Sequence, residues 1–287
     1  MSIKQKGILL TVVSTIIFGI TPVIGKMSYQ LGNNGIQLAF LRHLFVLPIF
    51  FIIVKVQKLS LKLTKKQIID VLRVGFIGNT LTVVLLYSSY SYIHVGSATV
   101  LHFLYPLFVC LLNFIFYKQK LNQKQGICLC LAMLGILCFI EKSTSSLFGC
   151  LLAIASGIFF AYYMVGMDHS SIRDIEPFVF NFYLVFINVI GIFILCLFTH
   201  SFSSMPFDGY ILSFVVSILT SLIGVVLFQK GIYYLGASLT AILSTLEPIT
   251  SIIVGMLFLG EELTLLKFIG CFFVLFSTFL LVRIENE

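Results

Sequence analysis

Tryptophan is absent, proline occurs only six times, and charge sits on just 10% of the 287 residues. The scarcity of charge excludes most. Soluble domains carry roughly a quarter charged residues, and a water-soluble chain of this length needs a polar coat around its core. With 59% of its residues hydrophobic, this chain cannot supply one, so its apolar excess must face lipid. No polar segment is long enough for a soluble domain and no P-loop pattern occurs, which excludes an ATP-hydrolysing unit within these residues. The seven cysteines all lie in or beside apolar runs, and Cys128 and Cys130 have no histidine or second pair nearby. They indicate neither a zinc site nor a disulfide framework, and read as small packing residues. No cofactor is indicated. The net charge of +7 does not point to nucleic acid, because the basic residues sit in short loops between apolar runs, a pattern of membrane orientation. Without tryptophan, Tyr and Phe must form any interfacial belt.

What is present is a series of apolar stretches. A helix needs about 20 apolar residues to cross the hydrocarbon core. Ten stretches meet or approach that: roughly 7–26, 36–54, 71–93, 97–117, 124–140, 147–167, 177–198, 209–234, 238–259 and 265–284. The expected fold is all-α and integral to the membrane. Thr64-x-x-Gln67 and Asn122-x-x-Gln125 have capping-box spacing ahead of stretches three and five, and Pro177 opens stretch seven, where proline is tolerated. Lys4 and Lys6 ahead of the first stretch resemble a signal peptide. The lack of a small-x-small cleavage site, and a repeat partner further along the chain, oppose that reading.

Shifting the sequence by 142 brings its halves into register. Gly7, Leu9, Leu10, Ser14, Ile16 and Phe18 fall on Gly149, Leu151, Leu152, Ser156, Ile158 and Phe160, and Tyr92, Leu101, Leu104, Pro106 and Leu121 on Tyr234, Leu243, Leu246, Pro248 and Leu263. The units are 1–142 and 143–287. Each holds five helices, an odd number, so the second enters the membrane inverted: ten transmembrane helices as two inverted five-helix repeats. Charge agrees. With the N-terminus inside, 13 Lys and Arg fall on the cytoplasmic side and three (Lys26, Lys142 and Lys267) on the other. Gln119-Lys120 becomes Glu261-Glu262 in the second unit, so the charge changes with the side. Inverted repeats build transporters, with the substrate site near the midplane between them.

Polar groups at lipid depth are costly and mark candidate sites. Glu247 sits mid-way along stretch nine, followed by Pro248. It either contacts substrate or a proton, or bonds the carbonyl that Pro248 frees four residues back. Its repeat mate is Tyr105, beside Pro106. His102 lies one turn earlier and has Ser244, next to Thr245, as its mate. Two pseudo-symmetric helices thus carry polar groups and a proline to one depth. Ser213, Ser217, Thr220, Ser221 and Gly224 form a small polar face whose mates are Val71, Gly75, Gly78, Asn79 and Thr82. This is either close helix packing or a cavity wall in which Asn79 and Thr82 make contacts. Tyr87, Tyr90, Tyr162 and Tyr163 suit a pocket wall or an interfacial belt equally. Gly19 and Pro22 suggest a bend or close approach. Arg42 can snorkel outward, as Lys230 can inward. A long Lys230 side chain also comes within reach of Glu247.

Leu246-Glu247-Pro248-Ile249, followed by Leu259-Gly260-Glu261-Glu262-Leu263-Thr264 and then Gly270, resembles the "EP…LGE.LT…G" signature of the drug/metabolite transporter superfamily, bacterial EamA type. Phe18-Gly19…Lys26 and Arg42 also resemble family positions. The first half departs: Tyr105 replaces the acidic residue before Pro106, and Gln119-Lys120 replaces Gly-Glu. The resemblance covers essentially the whole chain. It implies ten helices with both termini cytoplasmic, and a central cavity lined mainly by helices 1, 3, 4, 6, 8 and 9. The function it implies is movement of an amino acid, related metabolite or drug across the cytoplasmic membrane, often outward. The expected partners are a small-molecule substrate, the lipid bilayer and protons as a coupling ion. Two rival readings are an intramembrane enzyme on a lipid-linked substrate and a channel. The enzyme would need a nucleophile with a base, paired carboxylates or a metal site; helix-borne H-E-x-x-H is absent, and Glu247 has no evident acidic partner.

Overall fold

The computed structural model describes residues 2–89, 92–93, 95–138, 146–260 and 264–286, apart from the side chains of 95–97, 259, 285 and 286. Nine of its helices are long and apolar enough to cross a membrane, and a tenth is shorter. In chain order they are α1 (Ile3–Gln30), α2 (Gly35–Val56), α3 (Lys65–Ser89), α4 (Ala98–Tyr117), α5 (Gln123–Leu137), α6 (Leu147–His169), α7 (Pro177–Phe198), α8 (Phe207–Leu235), α9 (Ala237–Phe258) and α10 (Leu265–Ile284). No strand occurs among the described residues.

Local chemistry sets the helix starts. Capping boxes Ser2/Gln5, Thr64/Gln67 and Asn122/Gln125 open α1, α3 and α5, each pairing two backbone amides that the first turn leaves without a partner. Asn34 caps α2. Glu176 caps α7, with Pro177 at its first position. The cap at Thr64 also explains why α3 begins six residues before its apolar run.

Two irregularities recur in both halves. The first is a break. Helix four consists of Val95–His102 and Tyr105–Tyr117, and helix nine of Ala237–Leu243 and Leu246–Leu259. Each restarts beside its proline, Pro106 or Pro248, which lacks the amide needed to continue the helical ladder. The second is a widened, π-helical stretch in the middle of α3 (Arg73–Thr80) and of α8 (Ser217–Gly224). Such widened turns in otherwise α-helical rods concentrate at functional sites.

The packing is two-fold. Helix α2 packs on α7 and α5 on α10. Helix α1 packs on α8 and α9, while its mate α6 packs on α3 and α4. Residue pairs repeat the exchange. Gly7 of α1 lies against Tyr234 and Leu235; Gly149 of α6 lies against Tyr92 and Ile93, the 142-shifted mates of those two. Ser277 of α10 donates to the Cys128 carbonyl at 2.6 Å. Gly135 and Gly270, the mates of Ser277 and Cys128, meet likewise: a Cβ on Gly135 would stand 2.7 Å from the Gly270 carbonyl oxygen. With five helices in each half, a two-fold relation requires an axis in the membrane plane, so the repeats are inverted. Spatially the first helix of each half belongs with helices of the other. One bundle is α1, α2, α8 and α9; the other is α3, α4, α6 and α7.

Candidate functional site

The two breaks face each other across the centre. Tyr105 is buried and its hydroxyl lies 2.5 Å from Ser244 Oγ. Ser244 in turn donates to the Ala241 carbonyl, so Tyr105 is the donor in the bond that joins the two broken helices. His102 is also buried and shares a 2.9 Å hydrogen bond with Ser156. Around them the rings of Phe160 and Tyr105 meet edge to face at 4.8 Å, Phe160 stacks on Phe228 at 6.2 Å, and Phe228 meets Phe18 at 5.8 Å. Phe18 and Phe160 are 142-shifted mates, so this aromatic row spans the pseudo-axis. Pro106 and Pro248 are buried, as is Thr245, whose hydroxyl bonds the Ile242 carbonyl.

Glu247 follows the break in α9 and is half-buried. Among the described residues no hydrogen bond or ion pair engages its carboxylate. The carbonyl four residues before Pro248, that of Ser244, instead accepts from the Glu247 backbone amide at 3.0 Å. The structural reading of Glu247 thus loses its partner. Electrostatically Glu247 is coupled to Arg42 of α2 and to Tyr105, yet Arg42 and Glu247 stand beyond ion-pair distance. Arg42 Nε is buried with no hydrogen-bond partner. Among the described residues no ion pair joins Lys230 to Glu247; the cation that acts electrostatically on Glu247 is Arg42, which the sequence alone read as snorkelling outward.

Gly19 brings α1 against this break. A Cβ there would stand 2.7 Å from the Glu247 carbonyl oxygen and closer still to Thr250, and Ser251 donates to the Gly19 carbonyl at 2.8 Å. Close approach is therefore the role of Gly19. The helix continues unbroken through exposed Pro22, and the Phe18 carbonyl that this proline frees accepts from Thr21 Oγ1 at 3.1 Å.

The other candidates fall elsewhere. Asn79 is half-buried in the widened stretch of α3, where its Oδ1 accepts from Asn188 of α7 at 2.8 Å, and Asn188 accepts in turn from Thr80. Thr82 is engaged with backbone, donating to the Gly78 carbonyl at 2.5 Å. Tyr87 packs its ring against Gly35 at the start of α2, and Tyr162 interacts with Arg73 and Asp70 near the other membrane face. Tyr90 and Glu261 lie outside the described residues. Tyr163, not Tyr162, points to the interior: it is buried and accepts from Gln229 Nε2 at 3.0 Å. Gln229 and Asn181 exchange two further bonds, of 2.6 and 2.8 Å. Sequence reasoning passed over Asn181, Asn188 and Gln229. The signal was there: Asn181 and Asn188 are seven apart, hence on one face of an apolar helix.

Each end of the centre is tied. At the end carrying the start of α9, Asp168 accepts from the Ala237 amide at 2.8 Å, and Arg173 reaches Asp168 and the Tyr233 carbonyl. Asp70 there accepts from the Ser171 amide and hydroxyl. At the opposite end, Gln37 and Ser203 exchange bonds of 2.8 and 3.0 Å, and Asn34 donates to the Ser201 carbonyl. The first, ionic tie is made by the Asp168–Arg173 pair, which lies within one bundle and bonds backbone of the other; the second is made of neutral amides, carbonyls and hydroxyls.

Comparison with known proteins agrees with this architecture. The EamA-like transporter family matches the chain twice, over residues 5–140 and 147–283. The uncharacterized transporter sll1319 of Synechocystis sp. is 29% identical over 283 residues, covering 92% of this chain and 84% of that protein. The uncharacterized transporter YcbK of Bacillus subtilis is 26% identical over 287 residues, covering 94% and 91%. One solved crystal structure superposes with a TM-score of 0.80 over 99% of both chains at 13% identity, a likeness that shows the fold alone. The chain belongs to the EamA-like transporter family, and is a multi-pass membrane transporter built of two repeats.

Proposed function

We propose that the protein carries a small organic solute, an amino acid or related metabolite, outward across the cytoplasmic membrane by alternating access. The observation that carries this reading is the Arg42 and Glu247 pair. These two ionisable groups, one from each repeat, lie within electrostatic influence of each other with no ion pair between them, and Arg42 Nε is buried without a partner, beside an aromatic row. Leaving charges unpaired in a low-dielectric interior is costly; a zwitterionic solute lowers that cost by placing its carboxylate at Arg42 and its ammonium at Glu247. The rings of Phe160, Phe228 and Phe18 offer an apolar wall for its side chain. Glu247 sits beside the break within the α9 span, away from both ends of that span, which supports a proton as the coupling ion.

The moving bodies are the bundles α1/α2/α8/α9 and α3/α4/α6/α7. They rock about the Tyr105–Ser244 contact, so that the ionic tie and the neutral tie open in turn. The family resemblance supports outward transport, and the charge count supports cytoplasmic termini. The test is purified protein in liposomes with a panel of labelled amino acids, measuring influx and efflux with and without a pH gradient. Saturable flux of one class is expected, lost or made independent of the pH gradient in Glu247→Gln and weakened at least tenfold in Arg42→Gln. An ohmic current without saturation supports the channel instead. Unchanged rate and pH response in Glu247→Gln remove it from the mechanism.

A further inference from the structure

A cleft of about 290 Å³ opens between α5 and α10, away from the central site. Lys124, Ile127 and Cys128 of α5 line it with Leu280, Arg283 and Ile284 of α10. Lys124 stands in the first turn of α5 and Arg283 near the end of α10, so both cations occupy one membrane face. That is the face to which the count of basic residues assigns the cytoplasm. Neither cation is idle in the fold, since each has other interactions within the protein; together they give the cleft a basic rim. Ile127, Leu280 and Ile284 lie about one helical turn or less from those cations, and Ile127 is 58% exposed. Beneath them the Ser277–Cys128 bond holds the two helices together. Beside the cleft, Gly126 faces open space.

Helix packing alone does not call for this rim. At the 142-shifted positions the sequence places Leu266 and Glu141 where Lys124 and Arg283 stand. The packing of α5 on α10 is shared by both ends; the paired cations belong to one.

We propose that this cleft binds an anionic phospholipid of the inner leaflet. The headgroup phosphate lies between Lys124 and Arg283, and an acyl chain lies along Ile127 and Leu280. Three properties fit that occupant. The rim is cationic and sits at headgroup depth, where basic pockets between helices hold acidic lipid. The wall below is apolar and opens sideways to the bilayer. The volume is at the small end for ligand pockets, enough for a headgroup whose chains stay in the membrane.

The test uses the full-length protein purified in detergent, with lipid retention read by native mass spectrometry. Phosphatidylglycerol should be retained ~30-fold over phosphatidylcholine, the scale expected for two cations at the surface. The ratio should fall to about one in Lys124→Gln/Arg283→Gln, return in Lys124→Arg/Arg283→Lys, and stay unchanged in Lys65→Gln/Lys66→Gln. The double variant alters only exposed side chains, and an unshifted melting curve in phosphatidylcholine checks its fold; the singles Lys124→Gln and Arg283→Gln should give intermediate ratios. Equal retention of both lipids overturns the proposal, as does an unaltered ratio in the double variant. Displacement of phosphatidylglycerol by an equal concentration of glycerol 3-phosphate also overturns it, because the cleft then reads a soluble phosphate rather than a lipid.

Discussion

Replacing Gly19 by alanine tests the tight crossing of α1 over the break in α9. The added methyl would stand 2.7 Å from the Glu247 carbonyl oxygen and nearer still to Thr250 Cβ. Ordinary contact begins at 3.4 Å, so the helices must part by roughly 0.7 Å or more, a gap that forfeits a sizeable share of the dispersion contacts along the crossing. One obstacle is backbone, and the other is the branch point of a β-branched residue, so no rotamer change clears the methyl. Overpacking of this kind costs about 1–3 kcal/mol, and weakening the Ser251 to Gly19 bond adds about 0.6 kcal/mol. Against this, alanine gains up to about 1 kcal/mol of helix propensity over glycine. The net expectation for Gly19→Ala is a loss of about 1–3 kcal/mol, with a lower melting temperature in detergent and slower transport in liposomes. Gly126→Ala is the internal control. Nothing lies within 4 Å of its Cβ position, so only the propensity gain remains and stability should hold or rise. If Gly19→Ala melts no lower than Gly126→Ala, the close approach is not real and the placement of α1 against α9 is wrong.

Three further outcomes follow from the hydrogen bonds. Gln229→Leu strips partners from both Asn181 and Tyr163 and should destabilise the protein by about 1–3 kcal/mol, seen as a lower melting midpoint; Tyr163→Phe, which removes one of the three bonds Gln229 makes to these two side chains, should cost less. Tyr105→Phe removes the hydrogen bond that joins the two breaks and should cost about 0.6–1.5 kcal/mol while leaving the fold intact by circular dichroism; an unchanged melting midpoint would mean the two breaks do not meet. Asp168→Ala leaves the Ala237 amide without its acceptor and removes the carboxylate that Arg173 pairs with. In a cysteine-depleted background it should raise labelling of a cysteine at position 105 from the Asp168 side, whereas unaltered labelling denies the ionic tie a role in closure.

Much of the fold is legible in the sequence because lipid imposes one rule on every span. A long apolar run with a cap at its start leaves few alternatives to a helix, and a 142-residue register with an odd number of helices leaves few alternatives to inversion. The break beside Pro106 and Pro248 is readable too, since proline lacks a donor. The widened turns in α3 and α8 are not. The same residues can close i→i+4 or i→i+5 rings, and only the neighbours α6 and α7, or α1 and α2, decide which. The relation of Arg42 to Glu247 also escaped. The sequence offers Lys230 as the cation within reach of Glu247 and leaves Arg42 to snorkel outward; which cation faces Glu247 depends on how α2 and α8 cross, which no local pattern encodes. Tyr162 and Tyr163 were indistinguishable for a related reason. They are adjacent, about 100° apart on a helix that is apolar all round, so periodicity could not say which one faces inward.

The interchange of α1 and α6 between the halves bears on how the chain is made. When the ribosome has completed the fifth helix, the seat between α3 and α4 is still open, because its occupant belongs to a segment not yet synthesised. Helix α1 likewise waits for α8 and α9. Neither half can mature as a separate body, and a gene severed in the connection after residue 138 should give stable product only when both fragments are expressed together.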